Sequence, residues 1–164
     1  MNAAYKDLPT TTEQILHPGA SPASLVPARP SLPTNLVSFF GEGWTATAQD
    51  TFGELQTRVW LREGGVKGDV ARIAAEGWGG DRLALMDGPG GATAVAWITA
   101  WDSASDAQAF ESAAMSAIAG LHLHARVRRS DPQVAIVIRS GPGPDDGAVE
   151  GILHALLGPA FIVE

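Results

Sequence analysis

The chain of 164 residues contains no cysteine. Disulfides, thiolate chemistry and cysteine-based zinc sites are therefore excluded, and the redox compartment is left open. Although 45% of the residues are hydrophobic, no apolar run approaches the ~18–20 residues that span a bilayer. Basic charge is scarce: 11 Lys and Arg stand against 18 Asp and Glu, for a net charge of −7. Such a surface repels phosphate backbones, so nucleic acid is not an expected partner. The one basic cluster, Arg126, Arg128 and Arg129, reads as a solvated strand end. The N-terminus, MNAAYKDLPTTTEQ, has no apolar core after its single lysine and does not read as a signal peptide. The cytoplasm is then the default compartment.

What is present is organised around Trp78–Gly120. Arg82–Met86 is a short apolar run, Asp87 to Gly91 (DGPGG) is a turn, and Thr93–Trp101 is a longer β-rich run. In that run Thr93, Val95, Trp97, Thr99 and Trp101 share one face and Ala94, Ala96, Ile98 and Ala100 the other. Neither face is strongly polar, which predicts a central strand covered on both sides. Ser103 with Asp106, or Ser105 with Gln108, has the spacing of a helix N-cap. Ala107, Phe110, Ala114, Ala117 and Ile118 form the apolar face of the helix that follows.

Upstream, Thr51 and Glu54 fit a capping box. The helix they open is expected to bury Phe52, Leu55, Val59 and Leu61 or Trp60, and Gly64-Gly65 ends it. A second helix, about Lys67–Ala75, points Val70, Ile73 and Ala74 inward, with Gly77 just past its end. Downstream, His122–Arg128 alternates as a half-buried edge strand, Asp131-Pro132 turns it, and Val134–Ile138 reads as a deeply buried strand. Asp145 or Asp146 caps a last helix, Gly147–Leu157, with Val149, Ile152, Leu153 and Leu156 on one side. Phe161, Ile162 and Val163 form an apolar tail.

Six of the eleven prolines lie between Pro9 and Pro33. Residues 1–40 therefore read as a Pro-rich extended arm, with a short helix near Thr12–Leu16, and residues 41–164 as a single domain. The order α-α-β-β-α-β-β-α predicts an α+β fold: a four-stranded, mainly antiparallel sheet with helices packed on it.

Chemistry-bearing groups are few. The glycines of Gly77 to Arg82 follow a helix and precede a strand, the wrong polarity for a phosphate cradle, and read as a turn in which Asp81 and Arg82 pair locally. Gly141 to Gly147 has the right polarity. Its prolines lack N–H groups, its aspartates repel phosphate and no Walker lysine is present, so it reads as a turn and helix cap. His122 and His124 share a strand face at a spacing that metal sites use, and His17 and His154 are the remaining candidate ligands. With no third ligand nearby, no cofactor is expected. No serine lies in Gly-x-Ser-x-Gly, and the carboxylate pairs Glu42/Asp50 and Asp102/Asp106 fall at loop and cap positions. The five tryptophans read as core, with a ligand pocket as the alternative.

Residues 9–18 (PTTTEQILHP) resemble a segment of a group of uncharacterised bacterial zinc-peptidase-like proteins, in which such a run follows a His-Glu-x-x-His metal motif. Asp50 to Glu54, Gly77 to Arg82 and Trp97 to Asp102 are similar to that group's C-terminal region. The resemblance implies the downstream part of a peptidase-like protein without its metal helix; Glu13 and His17 are four apart, but the first histidine is absent. A start at Met1 fits a truncated or split gene. No peptidase residue carries over.

The sequence thus predicts a non-catalytic interaction module. It would bind a protein or peptide partner, an upstream peptidase-like region or a second copy, with Leu25, Val26, Phe39 and Phe40 as the contact residues. The alternatives are a metal-dependent hydrolase built on the histidines and a small-ligand domain lined by tryptophan.

Overall fold

A computed structural model describes residues 29–158 of the chain. The fold is α+β. Five strands form one antiparallel sheet: β1 (Thr45–Asp50), β2 (Trp78–Asp87), β3 (Thr93–Trp101), β4 (His124–Ser130) and β5 (Gln133–Ser140), in the order β1-β2-β3-β5-β4. Four helices pack on it: α1 (Gly53–Glu63), α2 (Gly68–Ala75), α3 (Ala104–Gly120) and α4 (Asp146–Leu157). No helix among the described residues is long and apolar enough to cross a membrane.

The sheet has one strand more than the four expected. The extra strand is β1, whose sequence TATAQD has no apolar stripe and whose six residues are all exposed. A strand held only by its ladder to β2 leaves little trace in hydrophobic pattern. β2 is also longer than expected. Its first residues, Trp78 to Asp81, are buried strand and not a turn, with an irregularity between Trp78 and Gly80 where they oppose Trp101 and Ala100.

β3 lies at the centre and is covered on both faces, as its two apolar faces predict. The sides differ in kind. On the side of α1, α2 and α3, Trp97, Trp101, Leu83, Val134 and Ile136 meet Leu61, Phe110 and the alanines of α3. Phe110 stacks on Trp101 at 4.5 Å and meets Trp97 edge-on at 5.7 Å. On the side of α4, the sheet sets the alanines Ala84, Ala94, Ala96 and Ala135 among Met86, Ile98 and Val137, and Ile152, Leu153 and Leu156 of the helix pack onto them. Full burial of each large side chain contributes about 1.5–3 kcal/mol.

Leu36 and Phe40 belong to this second core, beside Trp44, and Phe39 packs against it. Phe40 lies 5.2 Å from the Trp44 ring. The packed body therefore includes residues expected in the arm. Leu25 and Val26, with the rest of the proline-rich segment and the apolar tail, lie outside the described residues.

The caps of α3 and α4 follow the sequence: Ser103 accepts from the N–H of Asp106 and Asp145 from that of Ala148. The first two helices depart from it. α1 buries Glu54, Thr57 and Leu61, while Leu55 and Val59 are 42% and 49% exposed. α2 buries Ala71, Ala74 and Ala75 and leaves Val70 and Ile73 exposed. Small residues face inward because α1, α2 and α3 approach closely. A Cβ on Gly64 would come within 2.4 Å of Ala117, and one on Gly120 within 2.1 Å of the Gly64 carbonyl oxygen.

Candidate functional site

The expected local pair of Asp81 and Arg82 does not form. Arg82 reaches Gln49 at 3.3 Å. Asp81 is buried and accepts four hydrogen bonds: from the backbone N–H groups of Phe52 (2.9 Å) and Gly53 (2.9 Å), and from the indoles of Trp78 (3.1 Å) and Trp97 (2.9 Å). Two of these donors open α1. A strand residue nearly thirty positions downstream thus supplies the anion that a helix N-terminus favours. The capping-box expectation for Thr51 is corrected accordingly; its hydroxyl donates instead to the Asp81 carbonyl at 3.2 Å. A carboxylate with four donors and no solvent is a structural clasp, with no lone pair directed at a ligand.

The tryptophans are likewise committed to the fold. Trp44, Trp78, Trp97 and Trp101 are buried, and the Trp101 indole donates to Thr99 at 2.8 Å. Neither of the two clefts described below is lined by tryptophan.

The histidines do not assemble as a strand pair. His122 has left-handed backbone, φ 54°, in the turn after α3, and β4 begins only at His124. The two do not share a strand face. His154 is exposed on α4, and His17 lies outside the described residues. Among the described residues no three His, Asp or Glu side chains are grouped so as to hold a metal ion.

The first cleft, about 630 Å³, lies at the start of α4 and is lined by His124 and by Arg139 to Asp146. Its charges satisfy one another. Arg139 donates to the Pro144 carbonyl and to Asp146, which also accepts from Arg126 at 3.1 Å. The Asp146 carboxyl is held below the usual carboxylate range, first by the Arg139 hydrogen bond and then by the charges of Arg126 and Arg139. The other arginines of the basic cluster are paired as well, Arg128 with Glu150 at 3.2 Å, and Arg129 with Glu111 at 2.9 Å and with Asp131. The cluster is a set of strand-to-helix ion pairs, which leaves little charge for an anionic ligand.

The second cleft has a different character. The ladder places Ala48 opposite Leu85, Leu85 opposite Val95, Val95 opposite Ile138 and Ile138 opposite Ala125. One apolar row thus crosses all five strands on the face that carries α1, α2 and α3. The adjacent row, Leu83, Trp97 and Ile136, is buried under those helices. Coverage stops there: Leu85 is 43% exposed, and Val95 and Ile138 are half-buried. A groove of about 260 Å³ lies over them, edged by Thr47, Asp87, Thr93, Ser140 and Arg139, whose guanidinium is committed to Asp146. Side chains that face each other across a ladder form one continuous surface.

Sequence reasoning missed this row because Val95 and Ile138 sit in strands expected to be buried and Ala48 in one that was not expected. One signal was present. Asp87, Thr93 and Ser140 are the next same-face positions, and their polarity marks where the helical cover ends.

Residues 40–151 match the family described as Domain of unknown function (DUF8575). The match spans more than half of the chain, so the chain belongs to that family. No curated protein and no solved structure matches the chain.

Proposed function

We propose that this member of the DUF8575 family is an interaction module that docks a segment of a protein partner on the Leu85–Val95–Ile138 row. The observation that carries the reading is a row of large aliphatic side chains in register, left open to solvent while the row beside it is buried. An apolar strip with a polar rim is the form that peptide grooves take. The exposed Asp87 at its rim and the net charge of −7 favour an apolar segment flanked by a basic residue. We propose as its source the zinc-peptidase-like region that accompanies such sequences in the proteins that residues 9–18 resemble; that sequence likeness is its support.

A randomised peptide library displayed on phage, selected against the full chain, tests the reading. Apolar peptides carrying Lys or Arg should emerge, and their affinity should fall at least tenfold in Leu85→Asp and stay unchanged in Gln108→Lys, an exposed position on α3. No enrichment, or peptides that bind Leu85→Asp as well as the parent chain, would overturn it. Phe39→Ser with Phe40→Ser is not an equivalent probe, since Phe40 is core.

A further inference from the structure

The two edges of the sheet are protected very differently. β4 carries His124, Arg126, Arg128 and Arg129, and its arginines are drawn into ion pairs with α3, α4 and the following turn. Charged side chains of this kind keep an edge from pairing with another chain. β1, at the other edge, pairs with β2 alone among the described residues. It contains no lysine, arginine or proline. Of the devices that keep edges apart, it has a bulge between Ala46 and Ala48 and a single charge, Asp50, at its end.

We infer that β1 is a homodimerisation edge, pairing antiparallel with β1 of a second copy about a twofold axis. The charge pattern admits a second copy and selects this direction. Antiparallel pairing along the strand sets each Asp50 near Thr45 of the other copy and holds the two Asp50 side chains about 14 Å apart, since the bulge leaves Thr45 and Asp50 four ladder positions apart, opposite Asp87 and Leu83. That is beyond the ~8 Å over which charge acts at physiological salt. Parallel pairing would bring the two aspartates together. Growth beyond two copies would need the arginine-bearing β4 edge, so the assembly closes at two. The twofold is perpendicular to the sheet, so equivalent faces stay on the same side. The Ala48–Leu85–Val95–Ile138 row of one copy then runs on into that of the other. This inference stands on the β1 edge and does not need the docking reading.

A six-residue edge is a small interface, so the dimer is expected at roughly micromolar concentrations. Sedimentation equilibrium of the full chain from about 1 to 200 µM should show a monomer–dimer transition and no larger species. Two substitutions at one exposed position should act with opposite sign. Thr45→Asp sets a second carboxylate beside Asp50 of the partner and should weaken the dimer at least fivefold. Thr45→Lys sets an ammonium there and should tighten it about threefold. Gln108→Lys and Gln108→Asp, which change net charge equally on α3, should leave it unchanged. Circular dichroism checks that each variant is folded; if Thr45→Asp is not, Thr45→Glu replaces it and should also weaken the dimer. A chain monomeric at the highest concentration overturns the proposal, whatever occupies the edge. So does an open-ended series of oligomers, or a dimer indifferent to the sign at position 45. Peptide binding to the Leu85 row can survive each of these results, so the two readings fail separately.

Discussion

The Trp97 indole donates to Oδ2 of Asp81 at 2.9 Å from the neighbouring strand, while the other oxygen of that carboxylate accepts from Gly53 and Trp78. One side chain thereby joins the start of α1, the start of β2 and the centre of β3. Asp81→Ala strands two indole and two backbone N–H groups in the core, and each buried donor left unsatisfied costs about 1–3 kcal/mol. Allowing for relaxation, a loss of about 3–5 kcal/mol is expected. Urea unfolding followed by tryptophan fluorescence would measure it. A loss below about 1 kcal/mol would show that the clasp is dispensable.

Leu55 and Val59 look like the buried stripe of α1 but face solvent. Leu55→Lys and Val59→Lys are expected to change stability by no more than about 0.5 kcal/mol. Leu61→Ala, at a fully buried site, should cost about 2–5 kcal/mol. Thermal melts of the three variants would rank them. The reverse ranking would mean that α1 is rotated about its axis.

That rotation shows where the sequence was legible and where it was not. Strong patterns held. β3 has two apolar faces and is central; Ser103 and Asp145 have capping spacing and cap. The misreadings arose where packing is set by small residues or by distant partners. Ala71, Ala74 and Gly64 face inward because close helix approach demands it, and hydrophobicity ranks them below Val70 and Ile73. The partner of the α1 N-terminus is Asp81, a contact that no local spacing encodes. The candidate site was invisible for a related reason. Leu85, Val95 and Ile138 have the residue types of a core strand, and only the extent of the helices above them leaves them open.

Gly64→Ala is expected to cost about 1–3 kcal/mol, because the added Cβ would meet Ala117 at 2.4 Å. Backbone and a neighbouring Cβ cannot swing aside as a long side chain can. Gly65→Ala offers a comparison in which space is free but φ is +83°, so any cost there is conformational. Chemical denaturation of both would separate steric from dihedral strain. Equal stability of Gly64→Ala and the parent chain would contradict the close approach of α1 and α3.

Two carboxyl groups should give opposite responses to pH. The Asp146 carboxyl lies below its ordinary range because of Arg139 and Arg126. Its contribution is present above the unfolded pKa and is lost as pH falls through the folded one. Asp102 is shifted upward, by burial first and by the nearby Asp106 charge second. Its ionised form weakens the fold at neutral pH, and protonation relieves this as pH falls through the raised value. Asp102→Asn is therefore expected to raise the melting temperature at pH 7, with the gain shrinking toward pH 4. Asp146→Asn is expected to lower it at pH 7, with the loss shrinking in acid. Melting curves across that range would check both signs.

The division of bulk between the two sides of the sheet sets the direction in which each side tolerates change. Under α3 the volume belongs to Trp97, Trp101 and Phe110, so truncation opens holes there. Under α4 the sheet sets four alanines among Met86, Ile98 and Val137, and at the alanines it is enlargement, such as Ala96→Val, that would lift the helix from its seat. Sequence drift in β3 is thus bounded from below at Trp97 and Trp101 on one surface and from above at Ala94 and Ala96 on the other. Neighbouring residues of a single nine-residue strand, Ala96 and Trp97, live under opposite size limits.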